Sequence, residues 1–202
     1  MSVSCLAWML AVRYSSKRWP VLAPVLAALL LGITANEARW AHFEARLAEA
    51  ARPILGERDS GFICERLTRN FFSSQGYPGH VQFTGDGEPV DNAFLSMKTC
   101  ARIKDWLNDP DDAEEGAFLG IHIAAHEAEH LAGIRTEAVA ECYAIQQGVQ
   151  MRVRLGADPQ TAVEQGNRYY EDYYPRLRAD YRSDQCVPGG QLDLTPGDGV
   201  WP

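Results

Sequence analysis

Five consecutive residues on one predicted helix combine two metal-binding groups with an acid–base group. The segment is His126-Glu127-Ala128-Glu129-His130, so two histidines lie four residues apart. On an α-helix this spacing directs both imidazoles from one face, where they can bind a single ion. The glutamate beside the first histidine can reach a metal-activated water without being a ligand itself. The pattern therefore predicts a zinc site with Glu127 as its general base.

A catalytic zinc site needs a third protein ligand and one open position for water. Glu137 and Glu141 lie one helical turn apart on the next predicted helix, and Gly133 permits the chain to reverse before them. Either glutamate can be the third ligand while the other orients a histidine. His122, one turn before His126, is interpreted as an ordinary helix-face histidine, because the motif already supplies a pair.

The segment HEAEHLAGIRTEAVAECYA, residues 126–144, resembles the gluzincin group of zincin-like metallopeptidases. In that group H-E-x-x-H precedes a helix that carries E-x-x-A-D, and this chain has glutamate in place of the aspartate. The resemblance implies that Glu137 is the zinc ligand and Glu141 the supporting carboxylate. With its tail DQCVPGGQLDLTPGDGVWP, the chain is also similar to exported bacterial proteins described as metallopeptidases. Residues 36–118 lie outside the resemblance.

The spacing departs from the gluzincin pattern. Only six residues separate His130 from Glu137, whereas gluzincins have much longer insertions. Gly133 matches the glycine of the metzincin motif H-E-x-x-H-x-x-G-x-x-H, but Thr136 stands where that motif has its last histidine. The third ligand therefore stays open between Glu137 and Glu141.

The resemblance implies an exported zinc peptidase that acts on a peptide or protein substrate. Two alternatives are a non-catalytic exported zinc-binding scaffold and a di-iron protein. The di-iron design needs a second E-x-x-H, which the sequence lacks. Zinc peptidases also use a donor to the transition-state oxyanion, and the candidates are Arg135, Tyr143, Tyr169, Tyr170, Tyr173 and Tyr174.

Residues 1–35 have the features of a signal peptide or a membrane anchor. A basic flank of Arg13, Lys17 and Arg18 precedes an uncharged stretch, 19–35, that is rich in Leu and Ala and ends on a small residue. Its 17 residues fall below the roughly 20 that a spanning helix needs. Cleavage after Ala35 and retention in the membrane both remain open. Either route places residues 36–202, the predicted metallopeptidase domain, outside the cytoplasm.

The charge of the exported portion excludes one class of partner. Without its first 35 residues the chain has 16 basic and 27 acidic residues, a balance of −11. Nucleic-acid binding depends on basic patches that contact phosphates. We therefore expect no nucleic-acid partner.

Four cysteines belong to the exported portion, and an even number outside the cytoplasm indicates two disulfides. Three pairings are possible. We favour local pairing within each half of the domain, Cys64 with Cys100 and Cys142 with Cys186.

The remaining patterns predict an α+β domain that is predominantly helical, a zincin-like single domain with a small sheet. Glycines and prolines mark most of the element ends. The expected helices are 37–52 (ending before Pro53), 62–72, 95–107, 114–131, 137–155 and 159–174, with a strand over 80–84 and an irregular tail over 181–202.

Overall fold

The computed structural model describes residues 19–66, 76–113, 116–197, 199 and 201–202. The chain forms two compact units, Met1–His42 and Phe43–Pro202. Helix α1 spans Trp19–Ala50.

The apolar part of α1 is solvent-exposed. Its large side chains from Leu22 to Ile33 are all exposed. Within the described residues, the helix from Leu22 to Ala50 is long and apolar enough to cross a membrane. The sequence predicted a separate helix starting at Glu37, but no proline or glycine interrupts residues 33–50, so one helix covers both segments.

The second unit is predominantly helical, as the sequence predicted. A short helix α2 (Arg52–Leu55) follows α1. The longer helices that follow are α3 (Met97–Asn108), α4 (Phe118–Leu131), α5 (Glu137–Leu155) and α6 (Pro159–Arg168). After α6 the chain forms a π-helical turn (Tyr169–Tyr173) and 3-10 turns at Tyr174–Arg176 and Ala179–Tyr181.

A small sheet of β1 (Gly61–Cys64), β2 (Gly79–His80) and β3 (Asn92–Leu95) completes the described part of the unit. Its order is β1-β3-β2, with β1 parallel and β2 antiparallel to β3. β2 contacts α4, which carries the histidine motif. The sheet edge therefore lies beside the candidate site.

The elements expected at 62–72, 80–84 and 95–107 were also wrong in part. Phe62 begins no helix, because Phe62 and Cys64 are buried in alternation on β1 and pair with β3; residues 67–75 lie outside the described part. The expected strand 80–84 is reduced to Gly79–His80 and an isolated bridge at Phe83.

The third partly wrong element is the helix expected to begin at Leu95. Leu95 ends β3, and α3 begins after Ser96, whose hydroxyl accepts a hydrogen bond from the Thr99 amide.

The expected helix ends near the site are largely confirmed. α4 ends at Leu131, and Gly133 has a φ of 101°. α5 ends before the left-handed Gly156. The start of the motif helix differs, since α4 begins at Phe118 and residues 114–115 lie outside the described part.

The disulfide prediction is confirmed. Cys64 pairs with Cys100, and Cys142 pairs with Cys186. The second bond ties the irregular tail to α5, so the tail is held against the helix that carries Glu137 and Glu141.

Candidate metal centre

The end of α4 shapes the first part of the site. The left-handed Gly133 reverses the chain, and the Ile134 amide donates to the Glu129 carbonyl at 3.0 Å. This turn places the Ile134 carbonyl where His130 Nδ1 donates to it at 2.6 Å. The cap that ends the helix therefore also orients a motif histidine.

Three side chains from α4 and α5 converge on one point. His126 Nε2 and His130 Nε2 lie 3.0 Å apart. Oε2 of Glu137 lies 3.1 Å from the first nitrogen and 3.3 Å from the second. Donor atoms of all three residues lie within 4.8 Å of one another, so the group can hold a metal ion. Two imidazoles and one carboxylate are a donor set of catalytic zinc sites.

Glu141 lies on the other side of His126. Its Oε2 is 2.8 Å from His126 Nδ1, close enough for an ion pair although the direction is poor for a hydrogen bond. Its Oε1 accepts hydrogen bonds from His122 Nε2 at 2.9 Å and from the Tyr169 hydroxyl at 2.5 Å. Glu141 thus contacts Nδ1 of His126, while Glu137 contacts the Nε2 atoms of both motif histidines, which face the point of convergence.

The surroundings of the two Nδ1 atoms determine which nitrogen of each ring faces the point of convergence. When Nδ1 carries the proton and meets an acceptor, the Nε2 lone pair is left for a metal. The Ile134 carbonyl does this for His130, and the Glu141 carboxylate lies at ion-pair distance from Nδ1 of His126. The surroundings therefore fit a cation bound by both Nε2 atoms.

The charges of the site are strongly coupled. Burial favours a lowered pKa for His126, but its contacts with Glu137 and Glu141 raise the pKa to about 10. Hydrogen bonds from both motif histidines hold the pKa of Glu137 well below its usual range. Burial opposes the same shift at Glu141, yet the charges of His122 and His126 lower its pKa too. The two ionised carboxylates stabilise a positive charge at His126, and a bound cation would supply that charge in place of the proton.

Glu127 is next to His126, one of the three candidate metal-binding residues, in the chain. Its side chain is buried, and Oε2 has no hydrogen-bond partner among the described residues. Burial raises the pKa of Glu127 to about 7, although the neighbouring histidine charges oppose the rise. A Cβ atom at Gly79 would lie 2.7 Å from Glu127 Oε1, so β2 can approach this closely only with glycine at that position.

A cleft of about 240 Å³ opens beside Glu127, and we call it the Glu127 cleft. Tyr77, Pro78 and Gly79 line it from the β2 side. The α-helical and tail side is lined by His122, Ile123, His126, Glu127, Glu141, Tyr169, Leu177 and Tyr181.

Tyr181 is a site residue that the sequence analysis missed. Its ring stacks on the His126 imidazole, with centroids 5.7 Å apart, and the charge of Glu137 acts on its hydroxyl. Burial and the charge of Glu137 raise the pKa of Tyr181 to about 12, so the hydroxyl is protonated at neutral pH. Its position in an irregular tail gave no periodic signal, and the proximity of Cys186 was the only hint of a fixed location.

The oxyanion donors expected from the sequence lie elsewhere, with one exception. Tyr170 and Tyr174 donate to tail carbonyls, and the Arg135 guanidinium lies over the Phe83 ring. Tyr169 does line the cleft, but its hydroxyl already donates to Glu141. Tyr173 stacks on Tyr169, outside the Glu127 cleft.

His122 is more than the helix-face histidine expected. It is buried, it stacks on the Tyr169 ring with centroids 3.5 Å apart, and it donates to Glu141. Burial lowers the pKa of His122, although the Glu141 carboxylate opposes the shift. It does not belong to the three-residue group that can hold a metal.

No protein-family model, curated protein or solved structure matches this chain. The resemblance to gluzincins therefore rests on residues 126–144, and function must be argued from the site itself.

Proposed function

We propose that this chain is an exported zinc-dependent peptidase with a zincin-like catalytic domain. One observation carries the proposal. His126, His130 and Glu137 form a potential metal-binding group, the next residue Glu127 has a buried Oε2 with no partner among the described residues, and His126 and Glu127 both line an open cleft. A structural metal site needs no such base and no such opening.

The proposed zinc ligands are His126, His130 and Glu137, with Glu141 supporting His126 from behind. Bound zinc supplies Lewis acidity and lowers the pKa of a water toward about 7. The carboxylate of Glu141 keeps the His126 ring oriented, and such supporting contacts are worth about 10- to 100-fold in metal affinity.

Glu127 is the proposed general base. Its Oε2 accepts a proton from the attacking water as the oxygen bonds to the substrate carbonyl carbon. The same oxygen then gives the proton to the amide nitrogen as the carbon–nitrogen bond breaks, which yields a carboxylic acid and an amine. A pKa raised by burial suits this exchange, because the group must take up and release a proton near neutral pH.

Tyr181 is the proposed donor to the oxyanion. Its hydroxyl is protonated, and it lines the Glu127 cleft close enough to Glu137 for that charge to raise its pKa. A small movement would redirect the same donor to a developing negative oxygen on the substrate.

The sheet edge offers a binding mode for an extended substrate. β2 is the edge strand on the side of the Glu127 cleft, and its Gly79 lines that cleft. Backbone hydrogen bonds from such an edge can add a peptide as a further strand. We propose that the substrate lies along β2.

Export is supported by two independent features. The exposed apolar stretch of α1 suits a signal or an anchor, and both disulfides suit an oxidising compartment. We propose that the domain works outside the cytoplasm, attached to the membrane if α1 is not removed.

The decisive experiment compares two buried glutamates of the same motif. Glu127→Gln should retain zinc and lose peptide hydrolysis by about 100- to 10,000-fold, because only the base is removed. Glu129→Gln is the matched control, since Glu129 is equally buried but accepts from Gln147 on another face of α4. Hydrolysis is followed by mass spectrometry of a peptide mixture, and zinc by elemental analysis.

The outcomes separate the two candidate functions. Equal cleavage by wild type and Glu127→Gln would remove the catalytic role of Glu127. Bound zinc without cleavage by the wild-type chain would favour the non-catalytic zinc-binding scaffold.

A further inference from the structure

A second pocket adjoins the Glu127 cleft, and we call it the side pocket. The two share four wall residues, His122, Ile123, Tyr169 and Leu177. The side pocket has a volume of about 280 Å³ and adds Leu119, Tyr173, Arg102 and Arg176 to its lining. Because the walls are shared, adjacent residues of one extended peptide can reach both spaces.

The lining of the side pocket combines apolar surface with two cations. Leu119, Ile123, Leu177 and the two tyrosines provide the apolar part. Arg102 is half-buried and Arg176 is exposed, and neither has an ion pair or side-chain hydrogen bond in the described part of the chain.

Some other arginines of the unit have acidic partners, whereas Arg152 and Arg154 have none among the described residues but lie outside the side pocket. Arg178 bonds Asp180, and Arg58 bonds Glu88. In a chain with a formal charge of −8, two arginines left without acidic partners at one pocket mark a place for an external anion.

The volume indicates which anion. Pockets for drug-sized ligands span roughly 300–1,000 Å³, so this one suits a single amino-acid residue. The C-terminal residue of a peptide presents an apolar side chain and a carboxylate on the same Cα atom. An internal acidic side chain next to an apolar one would need two residues in the same space.

We propose that the side pocket binds the C-terminal residue of a peptide, with an apolar side chain against Leu119 and Tyr173 and its carboxylate on Arg102 and Arg176. Arginine is well suited to this role, because its planar fork bonds both carboxylate oxygens. One consequence is that the enzyme cleaves near the free C-terminal ends of peptides, and this consequence rests on the proposed function.

The test measures binding separately from cleavage. The full chain carrying Glu127→Gln, in detergent and with zinc chloride, is titrated against three fluorescein-labelled peptides. These are Gly-Ala-Ala-Phe with a free carboxylate, the same peptide as its C-terminal amide, and Gly-Ala-Glu-Phe as its amide. Fluorescence anisotropy gives each Kd. We expect the free acid to bind about tenfold tighter than either amide, because charge-assisted bonds to arginine are lost in the amides.

Variants assign the preference to the pocket. Arg102→Gln with Arg176→Gln should bring the ratio of the Kd values of free acid and neutral amide close to one. Arg58→Gln with Arg154→Gln removes the same charge from exposed positions outside the side pocket and should leave the ratio unchanged. Melting temperatures check that all variants are folded.

Each outcome bears on one proposal. Equal binding of free acid and neutral amide, a preference that survives the double variant, or equally tight binding of the glutamate peptide would overturn the side-pocket assignment. The wild-type chain is then given the same peptides. Cleavage without a free-acid preference leaves the peptidase function standing, whereas a preference without cleavage of any peptide refutes the function and leaves the binding site.

Discussion

Replacement of Glu141 by glutamine tests the network behind the proposed zinc ligands. The wild-type carboxylate contacts three buried groups, His122 Nε2, His126 Nδ1 and the Tyr169 hydroxyl. A glutamine amide offers one acceptor oxygen and one NH2 group in place of two acceptor oxygens. Whichever way the amide is oriented, its NH2 group therefore meets another hydrogen-bond donor.

The size of the effect follows from these contacts. If the amide oxygen keeps the Tyr169 and His122 bonds, the NH2 group meets His126 Nδ1, and the ring loses the partner that orients it. Loss of such a supporting carboxylate lowers metal affinity about 10- to 100-fold, or about 1.4–2.7 kcal/mol. If the amide turns over instead, the donors of Tyr169 and His122 are left unsatisfied. That costs stability, at about 1–3 kcal/mol for each buried group.

Zinc affinity is measured by competition with a chromophoric chelator, and stability by denaturant unfolding of the metal-free chain. Glu129→Gln is the control, because burial raises the pKa of Glu129 to about 8 and glutamine resembles its protonated form. We expect wild-type zinc affinity in the control and a weaker affinity, a lower stability, or both in Glu141→Gln. Glu141→Gln chains that match the control in both measurements would refute the supporting role.

Three further predictions concern groups outside the ligand set. Tyr181→Phe should lower kcat by about 100- to 1,000-fold with little change in KM, since an oxyanion donor acts mainly in the transition state. An unchanged kcat would exclude Tyr181 as the oxyanion donor. Arg152 is fully buried, burial lowers its pKa to about 10, and no described group hydrogen-bonds its guanidinium. Arg152→Met should therefore raise the free energy of unfolding, measured with denaturant, by about 1–3 kcal/mol. A lower free energy of unfolding in the variant would contradict the absence of a partner. Burial lowers the pKa of His80 below its ordinary 6.5, so the unfolded chain binds the proton first and stability falls as the pH drops below 6.5. The melting temperature of His80→Phe should therefore fall less between pH 7 and pH 5 than that of the wild type. An equal fall in both proteins would contradict this.

The local parts of the fold and site were predictable from the sequence. Two histidines four residues apart must share a helix face, and Gly133 had to end that helix because it favours a positive φ. The next helix then returns along the first, which brings Glu137 within reach. These are contacts over a few residues, and helical geometry determines them.

The non-local parts were not predictable from patterns. β1 owes its strand conformation to pairing with β3, about 30 residues away, and its short sequence fits a helical period equally well. Tyr181 reaches His126 only because the tail is tied to α5 by Cys186. The buried role of His122 likewise depends on Tyr169, which belongs to a different helical segment.

The most direct test of the central claim is the zinc content of the purified chain after dialysis, compared with His126→Ala, His130→Ala and Glu137→Ala. We expect about one zinc per wild-type chain and a large loss in each variant, because all three donors meet at one point. A wild-type chain without zinc after incubation with zinc chloride, or full occupancy in the three variants, would contradict it.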